Sequence, residues 1–246
     1  MNLETYMHAI EWDATGRIPI LKMGETHLWR IDLKKHEEDV DIYRDFLSSQ
    51  ELKRAERFKH RQGERNFTIT RGVLRWLLSQ YTGILINRIK LRFSEHGKPF
   101  LPSVHFNIAH SSDYALLAFS RQNPVGVDVE LVKDKRDFMR IAKHYFNPAE
   151  LEEIESFQSA DIARQCFFAI WTRKEAYIKA LGTGLFSELG SFGIPLGSTH
   201  VTGKGDGYIW QIHTFTPARN YFGSICIRKP AKQLSAHDWT STFCKL

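Results

Sequence analysis

The chain is short of cysteine and of long apolar runs. Its 246 residues include three cysteines, Cys166, Cys226 and Cys244. They form no CxxC pair and no Cys/His ligand spacing, which argues against a disulfide framework or a zinc site. A reducing, cytoplasmic compartment is the expectation. No run of about 18 apolar residues occurs, so no membrane span is expected. The opening MNLETYMHAIEWD lacks a positive start followed by an apolar stretch and does not read as a secretory signal. Low-complexity segments are missing, and so are a P-loop and a kinase glycine-rich motif.

What is present is a moderately basic chain, with 34 Lys+Arg against 28 Asp+Glu and a net charge of +6. That balance suits an anionic partner: nucleic acid, a phosphorylated ligand or an acidic protein. With 42% hydrophobic residues, the chain can bury the core of one large domain or of two modules.

The same order of patterns occurs twice. HLWRIDL (27–33) alternates like a strand. DFLSSQELKRAERF (45–58) reads as a helix capped by Ser48 or Ser49. NFTITRGVLRWLLSQYTG (66–83) reads as a longer helix ending at Gly83. INRIKLRF (86–93), VHFNIA (104–109) and YALLAFS (114–120) are strand candidates. The second half opens with VGVDVEL (125–131). HYFNPAELEEIESF (144–157) follows, with Asn147 as cap and Pro148 at the first helical position. RQCFFAIWTRKEAYIKALGTG (164–184) is a second long helix, and SFGIPL, YIWQIHTF (208–215) and YFGSICI (221–227) supply later strands. ELKRAERF lies over ELEEIESF, TRGVLRWL (70–77) over TRKEAYIK (172–179), and LWRIDL (28–33) over GVDVEL (126–131), all at offsets near 100 residues. The expected fold class is α+β. Two pseudo-duplicated modules, 1–122 and 123–246, would each pack a small antiparallel sheet on a long helix and together form an intramolecular pseudo-dimer.

The halves differ in their acids. In GVDVE (126–130), Asp128 and Glu130 are two apart, so they share a strand face while Val127 and Val129 take the other. Two adjacent carboxylates need solvent, basic side chains or a divalent cation beside them. The first half has Arg30 opposite Asp128 and Val73 opposite Glu175, which favours a functional role for the acids. Glu175 and Lys179 share a face of the second long helix, one turn apart. Three carboxylates make a good oxygen site for Mg²⁺, which keeps waters and bridges to phosphate oxygens. Lys179 is then placed to meet a phosphate. Lys98 precedes Pro99 in a Gly-Lys-Pro turn. His110 and Ser111 end the strand VHFNIA, where backbone N–H groups and an imidazole can face an anion.

Together these segments resemble the 4′-phosphopantetheinyl transferases of the Sfp type, over residues 45 to 185. Four blocks carry the resemblance: GERNFTITRGVLR (63–75), GKP (97–99) with FNIAHS (106–111), GVDVE, and WTRKEAYIKALGTGL (171–185). The resemblance implies that Asp128, Glu130 and Glu175 hold Mg²⁺ (or Mn²⁺) on the coenzyme A pyrophosphate. It gives Glu175 the proton of an attacking serine and Lys179 the leaving phosphate. Lys98 and His110, with Pro99 and Ser111 in the same blocks, are implied at the coenzyme A phosphates. Arg54, Arg65 and Arg71 are candidates for its 3′-phosphate and adenine end. The usual FNxSHS is broken by Ala109, which predicts a missing hydroxyl contact to the nucleotide.

The implied partner is an apo acyl or peptidyl carrier protein with an acidic surface, met by GTGLFSELGSF (182–192) through Leu185 and Phe186. A monomer follows from the pseudo-dimer, and no nucleic-acid or membrane partner is expected. Competing readings are a nucleic-acid binder using KRAERFKHRQGER (53–65), a coenzyme A-binding scaffold without turnover, and a different Mg²⁺-dependent phosphotransferase. The acids disfavour the first, since they repel a phosphodiester.

Overall fold

Helix starts are written into the sequence by side chains that cap their own backbone. Ser48 and Glu51 form a capping box at one helix, and Asn147 and Glu150 form another, with Pro148 in the first turn. Each box satisfies two N–H groups that the helix leaves open. The computed structural model describes residues 3–133, 137–184, 186–203 and 207–244.

The first half holds β1 (Trp12–Asp13), β2 (Glu25–Asp32), α1 (Val40–Asp45), α2 (Ser49–Ala55) and α3 (Arg61–Thr82). It continues with β3 (Arg92–Phe93), β4 (Pro99–Phe100), β5 (His105–Ser111) and β6 (Tyr114–Ser120). Then come β7 (Val125–Leu131), α4 (Phe138–Tyr145), α5 (Pro148–Glu155) and α6 (Ala160–Leu181). The last strands are β8 (His200–Thr202), β9 (Ile209–Phe215), β10 (Tyr221–Arg228) and β11 (Gln233–Asp238). The fold is α+β.

One sheet has the order β1-β11-β2-β6-β5, a second β7-β10-β9-β8, and β3 pairs with β4 in a small hairpin. The alternation of each strand builds four layers. Trp29, Ile31, Leu117 and Phe119 face α3, where Ile69, Val73, Leu74 and Leu77 meet them. Their neighbours Leu28, Leu116 and Ala118 face the second sheet and meet Val125, Val127, Val129, Ile225 and Ile227. On the far side, Cys226, Trp210 and Ile212 pack on Ala176, Tyr177 and Ala180 of α6. The order is thus α3, first sheet, second sheet, α6. The valines of GVDVE fill the space between the sheets, and its acids are left for the helix side.

Gly126 explains how close that helix comes. A Cβ there would lie 2.0 Å from the Ala176 carbonyl oxygen and 2.3 Å from the Ala180 nitrogen. Only glycine lets the backbone of α6 cross β7 at this distance.

The two long helices are each 22 residues and end on left-handed glycines, Gly83 at φ 72° and Gly182 at φ 75°. From cap to cap they are offset by 99 residues, as are the two capping boxes. The overlay of TRGVLRWL on TRKEAYIK is therefore three residues out of step. Glu175 stands at the place of Trp76, and Val73 at that of Thr172. At the same offset, Glu51 pairs with Arg75 at 3.2 Å and Glu150 with Lys174 at 2.7 Å.

Several expected strands are absent where side chains take up the backbone groups. INRIKLRF is a 3-10 turn, Ile86–Arg88, and the short β3, because Arg75 Nη2 donates to the carbonyls of Ile86 and Ile89 at 2.8 and 3.1 Å. SFGIPL is not a strand either. Glu150 Oε1 accepts from the Ile194 N–H at 2.7 Å, Arg173 Nε donates to the Ile194 carbonyl at 3.1 Å, and Lys174 Nζ donates to the Phe192 carbonyl at 2.6 Å. The helix α4 and the strand β11 were not anticipated. β11 also ties together the two modules expected on either side of residue 122. Gln233–Asp238 returns to the first sheet and runs parallel to β2, and Trp239 and Phe243 enter the first-half core. Trp239 Nε1 donates to the Tyr43 hydroxyl at 3.0 Å, which fixes the tail there. Among the described residues, no helix is long and apolar enough to cross a membrane.

Candidate active site

The two sheets meet at β5 and β7, each the outer strand of its own sheet. An outer strand leaves half of its backbone groups unpaired. Here side chains of the first half supply the partners. Asn107 Oδ1 accepts from the Val127 N–H at 2.8 Å, and Ser111 Oγ accepts from the Leu131 N–H at 3.1 Å. Lys98 Nζ reaches the Val125 carbonyl at 3.5 Å and also donates to the Lys179 carbonyl. The alternation of FNIAHS sorts the rest. Asn107, Ala109 and Ser111 face β7, and Ala109 is part of the apolar cluster between the sheets. A serine hydroxyl at 109 would enter that cluster.

On the α6 side of β7, Asp128 and Glu175 are each 5% exposed. Lys179 Nζ donates to Asp128 Oδ1 at 2.6 Å. Asp128 Oδ2 and Glu175 Oε1 are buried without a partner. Burial pushes the Asp128 carboxyl up to about 6, against the pull of Lys179. Burial, followed by the Asp128 charge, pushes Glu175 up to about 7. Burial works to lower the Lys179 ammonium, but Asp128, Glu175 and Glu130 outweigh it and hold the group above its ordinary value. Glu130 lies close enough to act on Asp128, Glu175 and Lys179, yet its Oε2 accepts from Ser111 Oγ at 3.0 Å. The anion that Ser111 meets here is thus a protein carboxylate. Among the described residues, no three His, Cys, Asp or Glu side chains form a ready-made metal cage.

The first half contributes cations. A cavity of about 830 Å³ is lined by Lys53, Arg54, Arg57, Arg71 and Lys90, with Phe67 and Phe93 among them. Arg54 and Arg71 lie over the Phe67 ring at 5.3 and 5.5 Å. Arg71 also pairs with Glu51 at 3.5 Å, keeps Nη1 buried without a partner, and is lowered by burial. His110 stands between the two groups of charges. Burial lowers its imidazole first, Lys179 on one side and Arg54 and Arg71 on the other lower it further, and Glu130 opposes them.

Two of the residues expected at coenzyme A have protein partners here. Arg65 pairs with Glu37 at 2.7 Å, in a separate groove with Arg44 and Arg61. Lys98 spends its ammonium on backbone carbonyls, and burial lowers it to about 8. Pro99 lines a cavity of about 210 Å³ between the halves, together with Lys98, Ile108, Glu175, Ile178 and Lys179. Leu185 and the Phe186 side chain, expected at the carrier surface, lie outside the described residues. Sequence reasoning missed Asn107 and the bond from Ser111 to Glu130. The period-two spacing of Asn107, Ala109 and Ser111 was the available signal.

The family model for the 4′-phosphopantetheinyl transferase superfamily matches residues 124–226, and that for the N-terminal part of a 4′-phosphopantetheinyl transferase matches 34–122. The chain belongs to the 4′-phosphopantetheinyl transferases. The transferase HetI of Nostoc sp. is 33% identical over 84% of this chain and 89% of its own length. The transferase Sfp of Bacillus subtilis is 30% identical over 68% of this chain and 74% of its own. A human protein, L-aminoadipate-semialdehyde dehydrogenase-phosphopantetheinyl transferase, is 34% identical over 48% of this chain and 42% of its own. As a 4′-phosphopantetheinyl transferase, the chain moves the phosphopantetheine group of coenzyme A. Asp128, Glu130, Glu175 and Lys179 all fall within the matched superfamily region.

Proposed function

We propose that this transferase places the 4′-phosphopantetheine arm of coenzyme A on a serine of an apo acyl or peptidyl carrier protein and releases 3′,5′-ADP. The observation that carries the reading is the pair of buried, partnerless oxygens, Asp128 Oδ2 and Glu175 Oε1, beside the Lys179 ammonium. Two acids that burial holds near neutrality are poor structural choices and good ones for a cation and a proton.

Those oxygens fit a divalent cation. Mg²⁺ takes one or two carboxylates and fills its other positions with waters and substrate oxygens, so a closed protein cage is not required. Asp128 and Glu175 would hold the ion, with Glu130 released from Ser111 as the third acid. When bound, Mg²⁺ (or Mn²⁺) neutralises the diphosphate and stabilises charge on its oxygens. Arg54 and Arg71 receive the nucleotide end with its 3′-phosphate, and His110 meets the phosphates between the two halves. The apolar wall of Ile108, Ile178 and Pro99 suits the pantetheine arm. The serine oxygen bonds to the β-phosphorus, Glu175 accepts the serine proton, and the bond to the departing 3′,5′-ADP breaks. Lys179 donates to the leaving phosphate. Positioning supplies most of the acceleration, since carboxylates are weak bases.

The shared offset of 99 residues supports a duplicated module acting as one intramolecular pseudo-dimer, with the acids kept in one copy. A monomer follows, and the free cysteines suit a reducing cytoplasm. The test is the intact mass of apo fatty-acid, polyketide and peptidyl carriers after incubation with the protein, coenzyme A and Mg²⁺. A gain of one phosphopantetheine arm that EDTA abolishes supports the reading. No gain on any of the three overturns it in favour of a scaffold.

A further inference from the structure

The cavity of the first half is lined by cations and by two rings, and the rings are not used alike. Phe67 is 9% exposed. Arg54 and Arg71 lie over it, and the Phe58 ring is 5.4 Å away. Phe93 is 53% exposed, and among the described residues no ring or cation packs against it. A single exposed apolar side chain needs no explanation on an open surface. Phe93 instead lines a cavity of about 830 Å³ together with Lys53, Arg54, Arg57, Arg71 and Lys90. A ring with a free face among cations is what binds a base whose phosphates the cations hold.

The hairpin places this ring. β3 pairs with β4 so that Phe93 stands opposite Pro99. Pro99 and Lys98 line the cavity between the halves, with Glu175 and Lys179. One strand of the hairpin thus borders the catalytic cavity and the other borders the basic one. A ligand with its diphosphate at the acids and its nucleotide among Arg54 and Arg71 passes this hairpin, and Phe93 is on the nucleotide side.

We infer that the Phe93 ring stacks on the adenine base of coenzyme A and gives this protein its preference for a purine nucleotide over a bare phosphorylated sugar. The cations hold the phosphates and are indifferent to the base. Phe67 cannot take the same part, because it is buried and Arg54 and Arg71 already lie over it. Phe93 has no partner to give up, so stacking covers apolar surface without breaking a contact.

The inference rests on the transfer reading, which wild-type turnover in the carrier assay tests separately. The experiment measures by calorimetry the binding of 3′,5′-ADP and of the abasic sugar 3′,5′-bisphosphate to wild type, Phe93→Ala, Phe93→Leu and Phe93→Trp, with thermal melting as the control for folding. Stacking of a base on an aromatic ring is worth about fivefold to a hundredfold by alanine substitution. The expected result for Phe93→Ala is a dissociation constant for 3′,5′-ADP raised by about fivefold or more, with that for the abasic ligand changed by less than about twofold. Phe93→Trp, which keeps a ring, is expected to retain the affinity for 3′,5′-ADP, and Phe93→Leu, which keeps apolar bulk alone, to lose most of the gain. Equal losses for the two ligands in Phe93→Ala would make Phe93 a wall of the cavity and overturn the inference. Unchanged affinity for 3′,5′-ADP in Phe93→Ala would overturn it equally, while leaving the transfer reading in place.

Discussion

Lys179 Nζ lies 2.6 Å from Asp128 Oδ1, while the other oxygen of Asp128 is buried with no partner. The lysine thus neutralises half of a carboxylate and leaves half available. One helical turn before it, Glu175 presents a second open oxygen into the same space. A structural ion pair would satisfy both oxygens of its acid, as Glu150 does with Lys174 and the Ile194 N–H. The contrast between these two ion pairs supports the role proposed for Asp128 and Glu175.

Glu175→Gln should abolish transfer and raise stability in the metal-free protein. The acid is buried beside Asp128 and held up at about 7, so removing its charge relieves repulsion. Each 1 kcal/mol gained corresponds to about 2–4 °C for a chain of this size. The loss of a proton acceptor in the transition state is worth about 10²–10⁴-fold. Intact-mass assays and melting curves read both. Near wild-type turnover in this variant would remove Glu175 from the chemistry.

Arg71→Met should weaken coenzyme A binding by about tenfold to a hundredfold, the worth of one or two charge-assisted hydrogen bonds. Dephospho-coenzyme A, without the 3′-phosphate, should lose much less. Arg65→Met should leave both affinities alone, because Arg65 is paired with Glu37 in another groove. Calorimetry on the two variants separates these arginines, which lie six residues apart on α3. Equal losses for both ligands in Arg71→Met would move the 3′-phosphate elsewhere.

Lys174→Met should destabilise the protein by about 3–5 kcal/mol, because it leaves the fully buried Glu150 carboxylate without its counter-charge. Adding Glu150→Gln to that variant should recover much of the loss. Denaturant melts of the single and double variants measure the difference. No recovery would mean that Glu150 matters more for the Ile194 N–H than for Lys174.

What could be read in the sequence was local. The helix caps at Ser48 and Asn147, the closing Gly83, and the two faces of GVDVE follow from spacing within a few residues. The acids stood out because period two put Asp128 and Glu130 on one face, away from the valines. What escaped reading depends on contacts between distant segments. SFGIPL has a strand's composition, but Arg173, Lys174 and Glu150 occupy its backbone groups, and no local pattern shows that. β11 has a weak pattern, QLSAHD, and becomes a strand because β2 offers it an edge. Lys98 and Arg65 carry the right charge at the right place in their motifs, and only the partners they find in three dimensions tell what each holds.

The tail strand also sets a pH dependence. His27 on β2 and His237 on β11 are buried, with ring centroids 5.3 Å apart. His27 Nδ1 shares a hydrogen bond with the Tyr81 hydroxyl at 2.9 Å, and Glu25 lies 3.7 Å from its Nε2. Burial, then the His237 charge, lowers His27 to about 4, against the weaker pull of Glu25. The folded pKa is below the unfolded value near 6.5, so the unfolded chain takes up the proton first. The stability His27 contributes is therefore complete above about pH 6.5 and is lost as pH falls toward 4. Asp128 and Glu175, which are raised, act in the opposite sense, so the total curve mixes both. Subtracting the stability of His27→Gln from that of wild type at each pH isolates the histidine. The difference should fall by at most about 3 kcal/mol between pH 7 and 4, at about 1.4 kcal/mol per unit of pKa. A flat difference would mean that His27 gains its proton as readily in the folded protein as in the unfolded chain, and that the contact between β11 and β2 opens to water.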